Sequence, residues 1–151
     1  MKKIPIRLLV AFLLPLLLIG FASFKSNRGG DIFIIYLNGK QVHRQFVHID
    51  KSVKTLHLDA TDDDVIDVSY SHCGAVGTNR VLTLRNGQNA VVKELRFPDV
   101  SGTDSKMRFS RKSLGKNSAA TLKLYYAATE LPDGKLLSII QWREKEAVVK
   151  R

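Results

Sequence analysis

The sequence predicts an all-β domain, built as an antiparallel two-sheet sandwich of about eight short strands. After residue 30, no stretch sustains the 3.6-residue apolar period of an amphipathic helix. Short alternating or continuous apolar segments follow one another instead, and turn residues separate them. A single flat sheet would leave half of the apolar faces in water, so two packed layers are expected. The strand count makes an immunoglobulin-like topology the first hypothesis.

Three turn signals predict hairpins. Asn38-Gly39 and Asn86-Gly87 tolerate the positive φ angles of a type I′ turn, so each should join two antiparallel strands. Pro132-Asp133-Gly134 predicts a third, looser turn. The predicted pairs are residues 31–37 with 40–47, 80–85 with 88–97, and 121–128 with 135–143.

Residues 64–72 show the clearest strand alternation between these hairpins. Ile66, Val68, Tyr70 and His72 share one face, which is therefore expected to face the core. In residues 106–110, Met107 and Phe109 alternate with cations in the same way. The other predicted elements are a strand at 53–58 and one helical turn at 110–115.

The first 22 residues predict a secretory signal peptide. Three cations precede the charge-free apolar run 8–21, and Gly20-Phe21-Ala22 places small residues at the −3 and −1 positions of a cleavage site. An uncleaved anchor is the alternative, but a core of 14 residues is short for a bilayer that needs about 20. We therefore expect no stable membrane span after cleavage. The predicted segments are a signal peptide at 1–22, a flexible tether at 23–30, the β-sandwich domain at 31–143 and a charged tail at 144–151.

Cysteine content narrows the expected compartment. Cys73 is the single cysteine, so no intramolecular disulfide is possible and an apolar core must hold the fold. The chain also lacks an Asn-x-Ser/Thr acceptor for N-glycosylation. These features favour an exported bacterial protein, periplasmic or secreted.

The charge of the chain points to anionic partners. Residues 1–22 hold three of the 24 Lys and Arg and none of the 14 Asp and Glu, so the rest carries a formal net charge of +7. We expect an anionic glycan, a lipid head group or an acidic protein as partner. Nucleic acid is not expected, because base-stacking aromatics are not interleaved with the cations. The alternative is an edge strand whose charges guard against aggregation. The candidate anion-binding residues are Lys106, Arg108, Arg111, Lys112 and Lys116.

His72 and Cys73 offer an alternative, thiol-reactive or metal-binding site. An imidazole beside a thiol can stabilise a nucleophilic thiolate, and both side chains can ligate copper or zinc. The acidic loop that precedes residue 65 could hold calcium, although it lacks the glycine and glutamate of an EF-hand. We expect no metal and no cofactor, and a binding or structural protein rather than an enzyme. The residues that an ion or a catalytic step would use are His72, Cys73, Asp59, Asp62, Asp63 and Asp64.

A second alternative is an assembly subunit that pairs with a partner through exposed strand edges. Three strings in the chain also resemble those of small exported β-proteins of Gram-negative bacteria, which have no assigned activity. This resemblance covers roughly residues 31–140 and implies export and a β fold, but no functional residue. The strings are Tyr36-Leu37-Asn38-Gly39-Lys40, Tyr70-Ser71-His72-Cys73-Gly74 and Leu131-Pro132-Asp133-Gly134-Lys135-Leu136-Leu137.

Overall fold

A computed structural model describes residues 30–59, 61, 63–100, 105–115 and 120–143 as two β-sheets packed face to face. The predicted signal peptide, most of the tether and the charged tail lie outside these residues, as do Asp62 and Lys116. In the part of the chain that the structure describes, no helix has the length and apolar character needed to cross a membrane. The predicted all-β sandwich is confirmed.

The first sheet is built around its longest strand. That strand pairs along its length with the first strand of the chain, and two short strands share its other side. All pairs in this sheet are antiparallel. In spatial order the strands are β2 (Lys40–Phe46), β1 (Ile32–Leu37), β4 (Val65–His72) and then both β5 (Ala75–Val76) and β8 (Met107–Ser110).

The second sheet is mixed. Its edge strand runs parallel to the last strand of the domain, and its other pairs are antiparallel. About eight strands were expected, and the described residues form ten, of which one pair is parallel. The spatial order is β3 (Lys54–Leu58), β10 (Leu131–Trp142), β9 (Thr121–Ala128), β6 (Val81–Arg85) and β7 (Val91–Arg96).

The core lies between the two sheets. The predicted inward face of β4 is confirmed, because Ile66, Val68 and Tyr70 are fully buried. Tyr70 stacks on Tyr126 of β9 in the opposite sheet, with ring centroids 4.3 Å apart. Directly after β8, a 3-10 helix at Arg111–Leu114 forms the predicted helical turn.

Each predicted hairpin forms, but two of the turns differ from the prediction. Asn38 and Gly39 have φ angles of 50° and 78°, as a type I′ turn requires. In the second hairpin the positive φ falls on Asn89, because the Asn86 side chain accepts hydrogen bonds from two later backbone N–H groups and widens the loop. In the third hairpin, β10 begins at Leu131, so the turn lies at residues 129–130.

The predicted third turn is instead a bulge within β10. Leu131 pairs with Ala128, and the next pair joins Lys135 to Tyr126. Gly134 supplies the positive φ of 67° that this irregularity requires. A second bulge, beside Ile35 in the β1–β2 pair, changes which side of β2 faces the core.

Candidate functional site

A cluster of polar side chains lies at the end of the sandwich where β1 begins and β4 ends. Cys73 and Gly74, with φ angles of 51° and 93°, reverse the chain from β4 into β5. The β1–β4 register pairs Ile32 with Ser71, so Asp31 comes to lie beside His72. We call the set the polar cluster, and its members are Asp31, Tyr70, His72, Cys73, Tyr126 and Glu130.

The Asp31 carboxylate is the centre of the polar cluster. The Tyr70 hydroxyl donates to its Oδ2 at 2.9 Å, and Nδ1 of His72 lies 3.4 Å from the same oxygen. The Cys73 thiol donates to Oδ1 at 3.7 Å. The Asp31 carboxylate therefore contacts side chains of β4 and of the turn that follows β4.

His72 links this carboxylate to the second sheet. Its Nε2 lies 3.0 Å from the hydroxyl of Tyr126. The tautomer with a proton on Nδ1 directs an N–H toward Asp31 and leaves Nε2 to accept from Tyr126. Burial, assisted by the negative charge of Glu130, raises the pKa of Tyr126 to about 12. Burial and the bond to Asp31 also raise the pKa of Tyr70, so both phenols are neutral donors at physiological pH.

Glu130 is the remaining member of the polar cluster and lies in the β9–β10 turn. Its carboxylate accepts from the Thr78 backbone N–H at 2.9 Å and from the Thr78 hydroxyl at 3.1 Å. These bonds, chiefly the backbone one, hold the pKa of Glu130 below its usual value. Gly77 passes so close that a Cβ there would lie 2.6 Å from the Tyr126 hydroxyl oxygen and 2.9 Å from Nε2 of His72.

This geometry does not favour the thiol-reactive alternative. Both nitrogens of His72 are directed at oxygen atoms of other residues, and the sulfur of Cys73 lies against a carboxylate. Activation of a thiol by histidine requires a ring nitrogen directed at the sulfur. Cys73 itself is exposed. Through His72, the polar cluster connects a strand of the first sheet with Tyr126 of the second sheet.

The acidic side chains before β4 contact nearby cations, the Asn38 side chain and the backbone of their own loop. Asp64 accepts from the side-chain amide of Asn38 at 2.7 Å and from the backbone N–H of Thr61. Asp59 lies 3.9 Å from Arg143, and Asp63 lies 3.7 Å from Lys112. Among the residues described, no three His, Cys, Asp or Glu side chains are grouped so that they could hold a metal ion. The predicted metal candidates His72 and Cys73 lie instead in the polar cluster.

The predicted basic residues divide into two surfaces. Lys106 and Arg108 project from the outer face of the first sheet, where Nζ of Lys106 lies 5.2 Å from the centre of the Tyr36 ring. Arg111 lies over the ring of Trp142 and Lys112 lies near Asp63, so the 3-10 helix covers the end of the sandwich. Lys106 and Arg108 thus belong to the first sheet, and Arg111 and Lys112 belong to the 3-10 helix that follows β8.

Arg108 covers a buried carboxylate. Its Nε and a terminal nitrogen donate to the two oxygens of Asp67 at 2.7 and 3.1 Å, and Asp67 is 1% exposed. Aspartate is normally found at the protein surface, so no sequence signal predicted this buried pair. The pairs Tyr36–Asp67 and Asp67–Arg108 explain it, because the two neighbouring strands bring their side chains together over the carboxylate.

A third cation completes what we call the cationic face, the outward surface of β2, β1, β4 and β8. Arg44 pairs with Ile34, which pairs with Ser69, so Arg44 belongs to the same outward surface as Lys106. Arg44 was not predicted as part of this surface, because alternation along residues 40–47 predicts that Phe46 faces inward and His43 faces solvent. The bulge reverses this expectation, since Phe46 is exposed and His43 packs on the ring of Phe33.

A hollow of about 460 Å³ adjoins the cationic face between β5 and β8. The two short strands leave space beside the middle of β4, and hydroxyl groups line it. The Ser69 and Ser105 hydroxyls share a hydrogen bond of 2.7 Å, and the Ser71 hydroxyl accepts from the Gly74 backbone. Its apolar wall comes from Ala75, Val76 and Val100.

No family model, no curated protein and no solved structure matches this chain.

Proposed function

We propose that this protein is an exported bacterial β-domain, periplasmic or secreted, which binds an anionic partner and does not catalyse a reaction. The observation that supports the proposal is the cationic face. Arg44, Lys106 and Arg108 are exposed there, and Asp67 is the single acidic side chain on its described strands. Because Asp67 is buried beneath Arg108, it presents no negative charge to solvent.

Two cations of the cationic face, Arg44 and Lys106, can attract an anion without first losing an ion pair within the described residues, whereas Arg108 stays paired with Asp67. Arg44 lies 5.1 Å from the centre of the Phe46 ring and Lys106 lies over Tyr36, so aromatic rings orient both charges and leave them accessible. Cations grouped on one surface raise the local concentration of negatively charged ligands. Lys112 contributes less, because Asp63 lies beside it.

An immunoglobulin-like topology is part of the same proposal. Two antiparallel hairpins, β6–β7 and β9–β10, join through the β6–β9 pair, as the C, C′, F and G strands do in that fold. In the other sheet β4 pairs with both β1 and β8, as strand B pairs with A and E. The proposed export is supported by the leader-like sequence of residues 1–22 and by the single cysteine.

Retention on heparin, used as a polyanion probe, tests the cationic face. The double variant Arg44→Ser/Lys106→Ser should elute at clearly lower salt than the wild type, because fewer cations contact the matrix. Arg108 stays unchanged, since its removal would leave the buried Asp67 carboxylate without its partner. The matched control is Lys93→Ser/Arg96→Ser, which removes one Lys and one Arg from β7 in the other sheet.

The control variant should elute like the wild type, and circular dichroism should report the same fold for all three proteins. Equal shifts in the two double variants would mean that net charge alone governs retention. Unchanged retention in Arg44→Ser/Lys106→Ser would mean that the cationic face does not bind the polyanion. Either result would overturn the proposal.

A further inference from the structure

The loop that follows β2 exposes an unusual amount of apolar surface. The described residues include five large hydrophobic side chains that are exposed, and three of them lie in residues 46–53. We call this segment the 46–53 loop. Ile49 is 74% exposed, Phe46 43% and Val53 41%, whereas scattered single apolar residues are the norm on protein surfaces.

The exposure of Ile49 does not result from loose structure. The Phe46 carbonyl accepts from the backbone N–H groups of Ile49 and Asp50 at 3.1 and 2.9 Å. The buried Gln45 side chain donates to the carbonyls of Asp50 and Ser52 at 2.7 and 2.9 Å. Asp50 in turn accepts from both the backbone and the hydroxyl of Ser52. The loop is therefore a fixed turn that presents Ile49 to solvent.

Cations accompany the apolar side chains of the loop. Arg44 lies over the Phe46 ring, Lys51 is exposed within the loop, and Lys54 is exposed directly after it. The acidic side chain within the loop is Asp50, which lies 3.8 Å from Lys54 and is bound by Ser52. Exposed apolar side chains accompanied by cations match the boundary between acyl chains and anionic head groups in a bilayer.

The path of the chain supports the same partner. The Val47 N–H donates to the Asp31 carbonyl at 2.8 Å, and a Cβ on Gly30 would overlap the His48 ring, so the chain enters the domain against this loop. The apolar run 8–21 precedes that point. The nine residues 22–30 can span at most roughly 32 Å. Before the predicted cleavage, a membrane that holds the apolar run therefore lies within reach of the 46–53 loop.

From these observations we infer that the 46–53 loop docks on a lipid bilayer that contains anionic head groups, with the Ile49 side chain inserted below the head groups. The inference rests on the proposed function, because it names the anionic partner of the cationic face. Arg44 and Phe46 join the two surfaces, since both belong to the outward side of β2. The cations then lie against the head groups while the loop tip enters the apolar layer.

Sedimentation with vesicles of phosphatidylglycerol and phosphatidylcholine in equal parts tests the inference. Residues 23–151 are the suitable protein, because the apolar run would bind lipid by itself and every described strand and core residue lies within 30–143. Ile49→Asp should weaken vesicle binding at least about tenfold. The matched control, Val91→Asp, alters an apolar side chain that is 55% exposed in β7, and it should bind like the wild type.

A fluorescent variant gives a second readout. The chain contains one tryptophan, Trp142, which is buried. Ile49→Trp adds an exposed one, whose emission should shift to shorter wavelength when anionic vesicles are added. Vesicles of phosphatidylcholine alone should produce a much smaller shift, because they lack the head-group charge.

The outcomes separate this inference from the proposed function. Retention on heparin without vesicle binding would overturn the bilayer as partner and leave anion binding intact, whereas loss of both would overturn both proposals. Vesicle binding that Ile49→Asp does not weaken would remove the loop from the contact. A wild-type dimer that Ile49→Asp dissociates, without vesicle binding, would make the loop an interface between copies of this chain.

Discussion

Tyr70 and Tyr126 stack in parallel across the boundary between the two sheets, 4.3 Å apart, yet their hydroxyls reach different partners. Tyr70 donates to Asp31, and Tyr126 meets His72, which itself lies beside Asp31. The four side chains form a closed set of contacts that includes both sheets. Removing one member therefore leaves a polar group buried without its partner.

Tyr126→Phe should lower the free energy of unfolding by about 1 kcal/mol, because His72 loses a buried hydrogen-bond partner while the ring stack remains. Urea denaturation measures this change. Tyr125→Phe is the control, since it removes a hydroxyl from the adjacent residue on the other face of β9. Equal losses in the two variants would contradict the role of the His72–Tyr126 bond.

Stability should fall at alkaline pH, and Tyr126 should contribute to the fall. Its pKa is about 12 in the folded protein and 10.0 in its ordinary state. As the pH rises, the unfolded chain therefore loses this proton first, and the folded state loses relative stability. The contribution of Tyr126 is complete below about pH 10 and disappears between about pH 10 and 12.

The test of this pH dependence is the free energy of unfolding measured by urea denaturation at a series of alkaline pH values. Tyr126→Phe removes the ionising group, so its stability should decline less steeply than that of the wild type. The pKa of Tyr70 is also raised. Ionisation of Tyr70 therefore still contributes to the loss of stability in this variant. Parallel pH profiles for the two proteins would show that Tyr126 is not protected from ionisation by the fold.

Gly77→Ala should destabilise the protein by about 1–3 kcal/mol, because the added Cβ would overlap the hydroxyl of Tyr126 and the ring of His72. Thermal unfolding followed by circular dichroism measures the loss. Gly87→Ala is the matched control, since a Cβ there meets no atom within 4 Å. The idea fails if the Gly87 variant is destabilised as much as the Gly77 variant.

Cys73→Asn should stabilise the β4–β5 turn by about 1 kcal/mol, because asparagine relieves the cost of a left-handed residue. Cys73 has a φ angle of 51°, nearly that of Asn38, and each is followed by a glycine with positive φ. Asparagine tolerates this left-handed conformation better than cysteine does. Urea denaturation should rank Cys73→Asn above the wild type and Cys73→Ser close to it. A loss of stability in Cys73→Asn would show that the thiol contact with Asp31 matters more than the turn.

The local elements were predictable from sequence because they depend on neighbouring residues. The period-two pattern of β4 placed Val68 and Tyr70 in the core, and Asn38-Gly39 supplied the dihedral angles of its turn. The bulges were not predictable in this way. A single extra residue in β2 exchanged the exposure expected for His43 and Phe46, since the side-chain period is two.

The polar cluster and the cationic face depend on pairing between distant strands. Asp31 lies beside His72 because β1 pairs with β4, and nothing local to either residue specifies that register. Asp67 is buried because the neighbouring strands supply Tyr36 and Arg108 above it. The chemistry of His72, Lys106 and Arg108 was predictable from their own side chains, but their partners belong to other strands.

The parallel pairing of β3 with β10 sets a condition on the order of folding. The Ser138 hydroxyl donates to the Lys54 carbonyl at 2.7 Å, across a separation of 84 residues. Pairing between segments so far apart closes a long loop and slows folding. While the chain is being synthesised from its N-terminus, β3 has no neighbour among the described strands of its sheet until residues 138–142 emerge. The second sheet therefore becomes complete only after β10 has left the ribosome.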